Sequence, residues 1–152
     1  MSGYGLEILG GEACDALLRS QRIGRIGVCS GRPGVFPVVY GLFDSDVVFR
    51  TAPGEKLIAA ALHHEIVFEI DSYDLDSRTG WSVNVFGTAE EIAHPVELAR
   101  AEALYLPPWA GEIRDRYVRI KAIEVSGRRI AATSRASRHA SSLGLPARDL
   151  RP

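Results

Sequence analysis

The segment from Val35 to Lys56 restricts the possible folds of this chain, because it combines a hairpin pattern with a turn into a helix. Residues 35–49 contain two runs rich in β-branched and aromatic side chains, separated by the turn-forming triplet Asp-Ser-Asp. The sequence Arg-Thr-Ala-Pro-Gly-Glu-Lys follows at 50–56, before the helix-forming run at 57–62. The pattern predicts two antiparallel strands followed directly by the start of a helix.

The turn before this helix contains the residue types of an anion site. A helix N-terminus presents unpaired N–H groups and a partial positive charge. Arg50 and Lys56 flank the turn, Thr51 adds a hydroxyl, and Gly54 permits a close backbone approach. Lys56 is one of only two lysines in the chain. These residues allow two interpretations, an ordinary solvated helix cap or a phosphate site.

The length and composition indicate one soluble domain. The chain has 152 residues, 46% of them hydrophobic, and a net charge of −1, which argues against nonspecific nucleic-acid binding. It contains no apolar run approaching the ~20 residues of a membrane span, and its N-terminus lacks the pattern of a secretion signal. Cys14 and Cys29 are too far apart for a metal or redox motif. We therefore predict a cytoplasmic protein with no nucleic-acid or membrane partner.

Strand and helix patterns alternate along the rest of the chain. Strands are predicted at 23–29, 35–43, 47–51, 66–70, 81–91 and 115–125, and helices at 11–21, 54–63 and 95–106. The polar, acidic stretch at 71–79 is predicted to be an exposed loop. Six strands joined mostly by tight turns favour a mainly β fold with short helices, a small closed or split barrel, over a doubly wound sheet.

The composition changes near residue 130. We predict a folded domain over residues 1–130 and a C-terminal tail over residues 131–152, which is rich in Arg, Ser and Ala. Two interpretations of the tail remain open, a solvated segment or an arm that packs across a dimer.

Metal-binding and hydrolytic motifs are not found in the sequence. The pair His63-His64 lacks the His-x-x-x-His spacing of a helical metal site, and the acidic residues at 71–76 lack the Gly and terminal Glu of a calcium loop. There is no Gly-x-Ser-x-Gly elbow or Gly-x-Gly-x-x-Gly loop. We predict no metal site and identify no catalytic acid or base.

The Arg-Thr-Ala-Pro-Gly-x-Lys-Leu sequence at 50–57, after the Pro-Val-x-Tyr strand at 37–40, resembles the pyridoxamine 5′-phosphate oxidase-like flavin-binding split barrels. The similarity is greater to the branch that includes the nitroimidazole-reductase-like proteins, because residues 80–89 resemble its Trp-Ser-Val-x-Val-x-Gly-x-Ala strand. Further matches lie at 18–26, 108–109 and 117–120, so that the resemblance spans roughly residues 12 to 130.

This resemblance implies a homodimeric, six-stranded antiparallel split β-barrel that binds FMN at the subunit interface. It implies a cytoplasmic flavin-dependent oxidoreductase acting on an unidentified small molecule, with residues 1–130 as the flavin-binding domain. Two alternatives remain open. One is a reductase of the same fold that uses a deazaflavin coenzyme, and the other is a non-catalytic flavin-binding or haem-handling protein.

The resemblance also implies a cofactor site. The strand at 37–40 would run along the flavin ring and ribityl chain, Arg50 and Thr51 would contact phosphate and ring, and Lys56 would hold the phosphate. Trp81 and Ser82 would reach the flavin from the partner subunit. The implied cofactor-binding residues are Pro37, Val38, Val39, Tyr40, Arg50, Thr51, Ala52, Gly54, Lys56, Trp81, Ser82 and Trp109. No catalytic side chain is implied, because hydride chemistry belongs to the flavin itself.

Two departures from the family pattern bear on the substrate. The oxidase carries a C-terminal Arg-x-His motif for its pyridoxal substrate, which this sequence does not match, and Tyr40 replaces a lysine. We therefore do not expect oxidation of pyridoxamine phosphate.

Overall fold

Seven strands and three helices occupy the parts of the chain that the computed structural model describes, residues 5–52, 56–107 and 116–132. In chain order these elements are β1 (Leu6–Leu9), α1 (Gly11–Ser20), β2 (Ile23–Val28), β3 (Gly34–Phe43), β4 (Asp46–Thr51), α2 (Lys56–Ala61), β5 (Glu65–Asp74), β6 (Thr79–Glu91), α3 (Pro95–Glu102) and β7 (Arg116–Ile130).

The strands form a closed antiparallel barrel. Their order is β7-β4-β3-β2-β5-β6, and β6 pairs back onto β7 to complete the circle. The predicted six-stranded antiparallel barrel is therefore confirmed. β1 is an additional strand that the sequence analysis did not predict, and it pairs with the last residues of β7.

Alternating side chains of the strands fill the barrel interior. Phe49, Phe68 and Ile26 are fully buried there, and the rings of Tyr40 and Phe68 meet edge to face with their centroids 4.7 Å apart. Helix α1 adds the buried side chain of Leu18 to the same cluster. The short helix is thus held by its buried apolar side rather than by its own propensity.

A bulge in the β6–β7 ladder lies at Gly87, where the pairing register shifts. A Cβ atom at this position would lie 2.0 Å from the carbonyl oxygen of Lys121, a backbone atom that cannot move aside easily. Only glycine fits this close approach of the two strands.

Helix α3 packs on the outer face of the barrel. Ala101 is buried in a second cluster with Phe43, Val48 and Tyr117. The helix begins at Pro95, and the ring of His94 accepts a hydrogen bond from the Val96 N–H at its start. This packing positions the segment after α3 beside the outer face of β3.

Several predicted boundaries were wrong. β7 was predicted to end at Val125 but continues to Ile130, because its last residues pair with β1 and β6. β5 continues to Asp74 instead of ending at Ile70, because residues 71–74 pair with β6. The carboxylate of Asp74 accepts hydrogen bonds from the Ser77 and Asp76 N–H groups, which close the turn and lower the pKa of Asp74. α3 ends at Glu102 rather than near Leu106, because Tyr105 has a positive φ of 50° that a helix cannot accommodate.

The predicted tail lies outside the described residues from 133 onward. No helix in the described part of the chain is long and apolar enough to cross a membrane.

Candidate functional site

Val39 and Arg50 lie on the outer face of the barrel at neighbouring positions of β3 and β4. Tyr40 pairs with Phe49 and both side chains are buried inside the barrel, so the residues adjacent to this pair point outward. Val39 packs against the outer cluster below α3, and Pro37 further along β3 is exposed. The two strands therefore present an apolar surface with one cation at its edge.

The guanidinium of Arg50 is held in place by the segment after α3. Its Nη1 donates a hydrogen bond to the Leu106 carbonyl oxygen at 2.9 Å. Its central carbon lies 5.4 Å from the ring centroid of Tyr117, the residue paired with it on β7. Arg50 is partly buried, so that this cation is positioned by the fold rather than freely solvated.

Thr51 and Ala52 lie beside Arg50 in sequence, but their side chains are buried. Thr51 is fully buried, and its hydroxyl donates a hydrogen bond of 3.4 Å to the Ala52 carbonyl oxygen. Because consecutive strand residues point to opposite faces, Arg50 and the Thr51 hydroxyl face opposite sides of β4.

Tyr40 connects β3 to α1. Its hydroxyl donates a hydrogen bond to the Leu18 carbonyl oxygen, one of the carbonyls that the end of a helix leaves without an intrahelical partner. Burial raises the pKa of Tyr40 to about 12. Val38, on the same side of β3, packs against the barrel core.

Helix α2 begins at Lys56, four residues after Ala52. The predicted site residues Gly54 and Trp109 lie outside the described residues, as does the side chain of Lys56.

A groove of about 840 Å³ adjoins the outer face of β3. Three parts of the chain form its walls. The first is the end of α1 with the start of β2, the second is the middle of β3, and the third runs from Arg100, near the end of α3, to Pro107. The groove is lined by Leu18, Arg19, Ser20, Gln21, Arg22, Ile23, Val39, Tyr40, Gly41, Leu42, Asp44, Arg100, Leu104, Tyr105, Leu106 and Pro107. Its volume is in the range of pockets that bind small molecules.

The sequence analysis placed Val39 and Tyr40 in the site but missed the rest of this groove. Arg19 and Arg22 lie close together in sequence, at the end of α1 and just after it, whereas Arg100 is near the end of α3, and no local pattern indicates that all three share a cavity. Only the packing of α3 against the barrel brings the third of them close to the other two.

Trp81 and Ser82 lie at the other end of the barrel. Trp81 pairs with Arg129 near the end of β7, whereas Arg50 pairs with Tyr117 near its beginning. At about 3.3 Å per residue, the intervening length of β7 is roughly 40 Å. Within one chain, the structure therefore brings together Val39 and Arg50 but not Trp81. Cavities of about 330 and 180 Å³ flank Trp81.

Among the described residues, no three His, Cys, Asp or Glu side chains converge as they would around a metal ion.

Comparisons with known proteins place these features in context. The sequence profile of the family described as pyridoxamine 5′-phosphate oxidase matches residues 11–129. An uncharacterized protein of Mycobacterium tuberculosis is 36% identical over 108 residues, which cover 68% of this chain and 70% of the relative.

Two solved structures share both fold and sequence with the chain. An FAD binding protein from Mycobacterium smegmatis is 34% identical with a TM-score of 0.71, over 81% of this chain and 97% of that one. A putative pyridoxamine 5′-phosphate oxidase from Corynebacterium glutamicum is 30% identical, also with a TM-score of 0.71, over 88% of this chain and 100% of that one.

Proposed function

The chain belongs to the pyridoxamine 5′-phosphate oxidase family, and from this premise we propose that it binds a flavin and uses it in the oxidoreduction of a small molecule. The flavin would lie on the outer face of β3 and β4, with its ring against the strands and its phosphate at the end of β4.

The observation that carries this proposal is the positioned guanidinium of Arg50 beside the apolar surface of Pro37 and Val39. A flavin nucleotide needs an apolar wall for its ring and a cation for its phosphate. Arginine forms strong charge-assisted hydrogen bonds with phosphate oxygens. Lys56, at the start of α2, would add a second cation.

FMN is the ligand that we propose first. FAD is the second candidate because the 34% identical relative is an FAD binding protein, and FAD contains the complete FMN group. When bound, the flavin would supply the hydride chemistry, and the protein would supply binding, orientation and exclusion of water.

We also propose that the functional unit is a homodimer with the flavin at the subunit interface. A path of roughly 40 Å along β7 lies between the partners of Arg50 and Trp81, and this supports an assembly in which a second subunit supplies the Trp81 end of the site. A second copy in a two-fold arrangement would place its Trp81 and Ser82 near the first copy's Arg50.

The absorbance spectrum of the purified protein, followed by titration with FMN, FAD and a deazaflavin coenzyme, tests this proposal. We expect a flavin spectrum and FMN binding at least as tight as that of the deazaflavin. Selective binding of the deazaflavin would support that alternative. Failure of all three ligands to bind would contradict the proposed function.

The activity needs a separate test. With flavin bound, pyridoxamine phosphate should be oxidised negligibly, because the Arg-x-His motif is missing and Tyr40 occupies the lysine position. Rapid oxidation of pyridoxamine phosphate would show that the missing motif and Tyr40 do not exclude this substrate. A flavin-loaded protein that no electron donor reduces would favour the non-catalytic alternative.

A further inference from the structure

The residues that line the groove beside β3 carry more positive than negative charge. Its lining includes Arg19, Arg22 and Arg100 but only one acid, Asp44, which leaves a local charge of +2. The whole chain has a net charge of −1. A cleft of one sign concentrates ligands of the opposite sign, so this groove favours anions.

The three arginines are attached to fixed parts of the backbone. Arg19 is in the last turn of α1, and the carbonyl oxygen of Arg22 accepts a hydrogen bond of 3.0 Å from the Tyr40 N–H. Arg100 lies 3.6 Å from the Asp44 carboxylate, and its guanidinium is 4.1 Å from the ring centroid of Phe43.

Arg19 and Arg22 differ from Arg100 in their pairing. Neither has an ion-pair partner among the residues that the structure describes, whereas Arg100 is paired with Asp44. The first two are therefore the cations that a bound anion would engage. Guanidinium groups bind phosphate and carboxylate in a bidentate, planar geometry.

The floor and one wall of the groove are apolar. Val39 and Gly41 form the floor, and a Cβ at Gly41 would lie 2.9 Å from Leu104 Cδ1, so the two segments are in close contact. The side chain of Tyr105 lines the groove although it is 87% exposed. An exposed aromatic ring beside such a surface suits a ligand with a flat apolar body.

The groove is continuous with the proposed flavin site. Leu106 contributes to its lining, and the carbonyl oxygen of the same residue accepts the hydrogen bond from Arg50. Val39 belongs to both surfaces. A molecule in the groove would therefore lie next to a flavin bound at the end of β4.

We propose that this groove binds the substrate, and that the substrate is an anionic small molecule with a flat apolar body, recognised by Arg19 and Arg22 through a phosphate or carboxylate group. Its role as a substrate site rests on the proposed flavin function, whereas its ability to bind such an anion does not. The positioning of Arg100 over Phe43 would narrow the groove around the ligand rather than hold the anion.

Two matched probes, 1-naphthyl phosphate and the uncharged 1-naphthol, test the proposal. Each is titrated into the full chain by calorimetry. We expect the phosphate to bind more tightly than 1-naphthol. Arg22→Gln should weaken 1-naphthyl phosphate binding about ten- to a hundredfold, the range for a charge-assisted hydrogen bond. Arg19→Gln should act in the same direction, and both should leave 1-naphthol binding unchanged.

The control is Arg32→Gln, in the turn between β2 and β3. The β2–β3 register places this turn beyond the Val28–Gly34 pair, at the opposite end from the Ile23–Val39 pair beside the groove. Arg32→Gln removes the same charge from the chain as Arg22→Gln, and it should leave the binding of 1-naphthyl phosphate unchanged. Equal losses in Arg32→Gln and Arg22→Gln would overturn the proposal in favour of a nonspecific charge effect.

Flavin binding is measured separately in each variant. If Arg22→Gln still binds flavin but no longer binds 1-naphthyl phosphate, the groove is a substrate site distinct from the flavin site. Displacement of bound flavin by 1-naphthyl phosphate would overturn it, because the groove would then hold the flavin phosphate. If the wild-type protein binds no flavin, the proposed function fails, but the probe titration still decides whether the groove selects anions.

Discussion

At the residue scale, Tyr40 shows that a position assigned to a ligand by resemblance also has a structural role. Its hydroxyl donates to the Leu18 carbonyl oxygen, and its ring packs against Phe68 in the barrel core. A lysine at this position could not make the ring contact. We infer that Tyr40 stabilises the attachment of α1 to the barrel.

Tyr40→Phe should lower the free energy of unfolding by about 1 kcal/mol at pH 8, because it removes one buried hydrogen bond and leaves the Leu18 carbonyl unsatisfied. Urea denaturation measures this change. Tyr73→Phe is the matched control, since the ring of Tyr73 is 60% exposed, and it should leave stability at pH 8 unchanged.

The same pair of proteins gives a prediction for alkaline pH. The pKa of Tyr40 is raised from 10.0 to about 12 by burial, so the unfolded chain loses this proton first as the pH rises. Wild-type stability should therefore fall above pH 10 by up to about 1.4 kcal/mol per pH unit from this group, until the folded-state pKa is reached. Tyr40→Phe does not lose stability in this way. The difference in free energy of unfolding between wild type and Tyr40→Phe should therefore shrink or reverse by pH 11. If this difference in free energy of unfolding stays constant from pH 8 to pH 11, the pKa of Tyr40 is not raised in the folded protein.

Lys56 is the residue on which the phosphate interpretation of the 50–56 turn depends. Lys56→Ala should weaken FMN binding by roughly 1.5–3 kcal/mol, or about ten- to a hundredfold, because it removes a charged donor to the phosphate. Calorimetric titration of both proteins measures the difference.

Riboflavin, which lacks the phosphate, serves as the control ligand for Lys56→Ala. It should bind wild type and mutant about equally. Unchanged FMN affinity in the mutant would favour the solvated helix cap and would mean that the phosphate lies elsewhere.

At the element scale, Arg119 connects α3 to the barrel by ion pairs, in addition to the apolar packing of Ala101. Arg119 of β7 is only 15% exposed, and its guanidinium donates to Glu97 of α3 at 2.9 Å and to Glu90 of β6 at 2.8 Å. Its Nε lies 3.8 Å from the Asp46 carboxylate and has no hydrogen-bond partner among the residues that the structure describes. α3 leads into the segment that forms one wall of the groove, so this ion-pair network and the apolar packing together support that wall.

Arg119→Met should lower the free energy of unfolding by roughly 2–3 kcal/mol, a value between those for exposed and for buried ion pairs, because three carboxylates lose their shared cation. Arg116→Met is the control. Arg116 is 46% exposed and lies 3.7 Å from Glu91, so its loss should have little effect. Equal destabilisation by the two substitutions in urea denaturation would contradict the anchoring role.

The sequence allowed prediction of the elements whose patterns are local. The β3–β4 hairpin, β6 and the beginnings of the helices follow from alternation, turn residues and a proline. β1 was missed because it has four residues and its strand conformation depends on pairing with Ile130 and its neighbours, more than a hundred positions away. The polar end of β5 was missed for the same reason, since pairing with β6 rather than apolar patterning determines it.

The candidate site was predictable only in part. The motif at 50–56 indicated Arg50 directly, whereas the groove depends on how α3 folds over β3, which no short-range pattern encodes. The sequence also did not indicate that Thr51 would be fully buried, because alternation gives the face of a residue only once the register is known.

At the scale of the whole molecule, the length of β7 determines what one chain can do alone. Its first five residues pair with β4 and its last four with β1, while β6 runs along its other edge. Residues assigned to one ligand therefore lie at opposite ends of the barrel. A homodimer would resolve this separation, because each subunit would provide the Arg50 end of one site and the Trp81 end of the other.

Mixing two variants that each weaken FMN binding tests this assembly directly. Lys56→Ala should impair the phosphate end of a site, and Trp81→Leu, which keeps an apolar side chain in the core, should impair the end contributed by the partner. In a heterodimer of the two variants, one site would carry both defects and the other neither. After random exchange of subunits, about a quarter of all sites should recover wild-type FMN affinity, since half of the dimers are mixed and each has one intact site. Titration of the mixture against the separate variants measures this fraction. If no tight site appears although sedimentation shows that subunits have exchanged, each flavin is bound within a single chain.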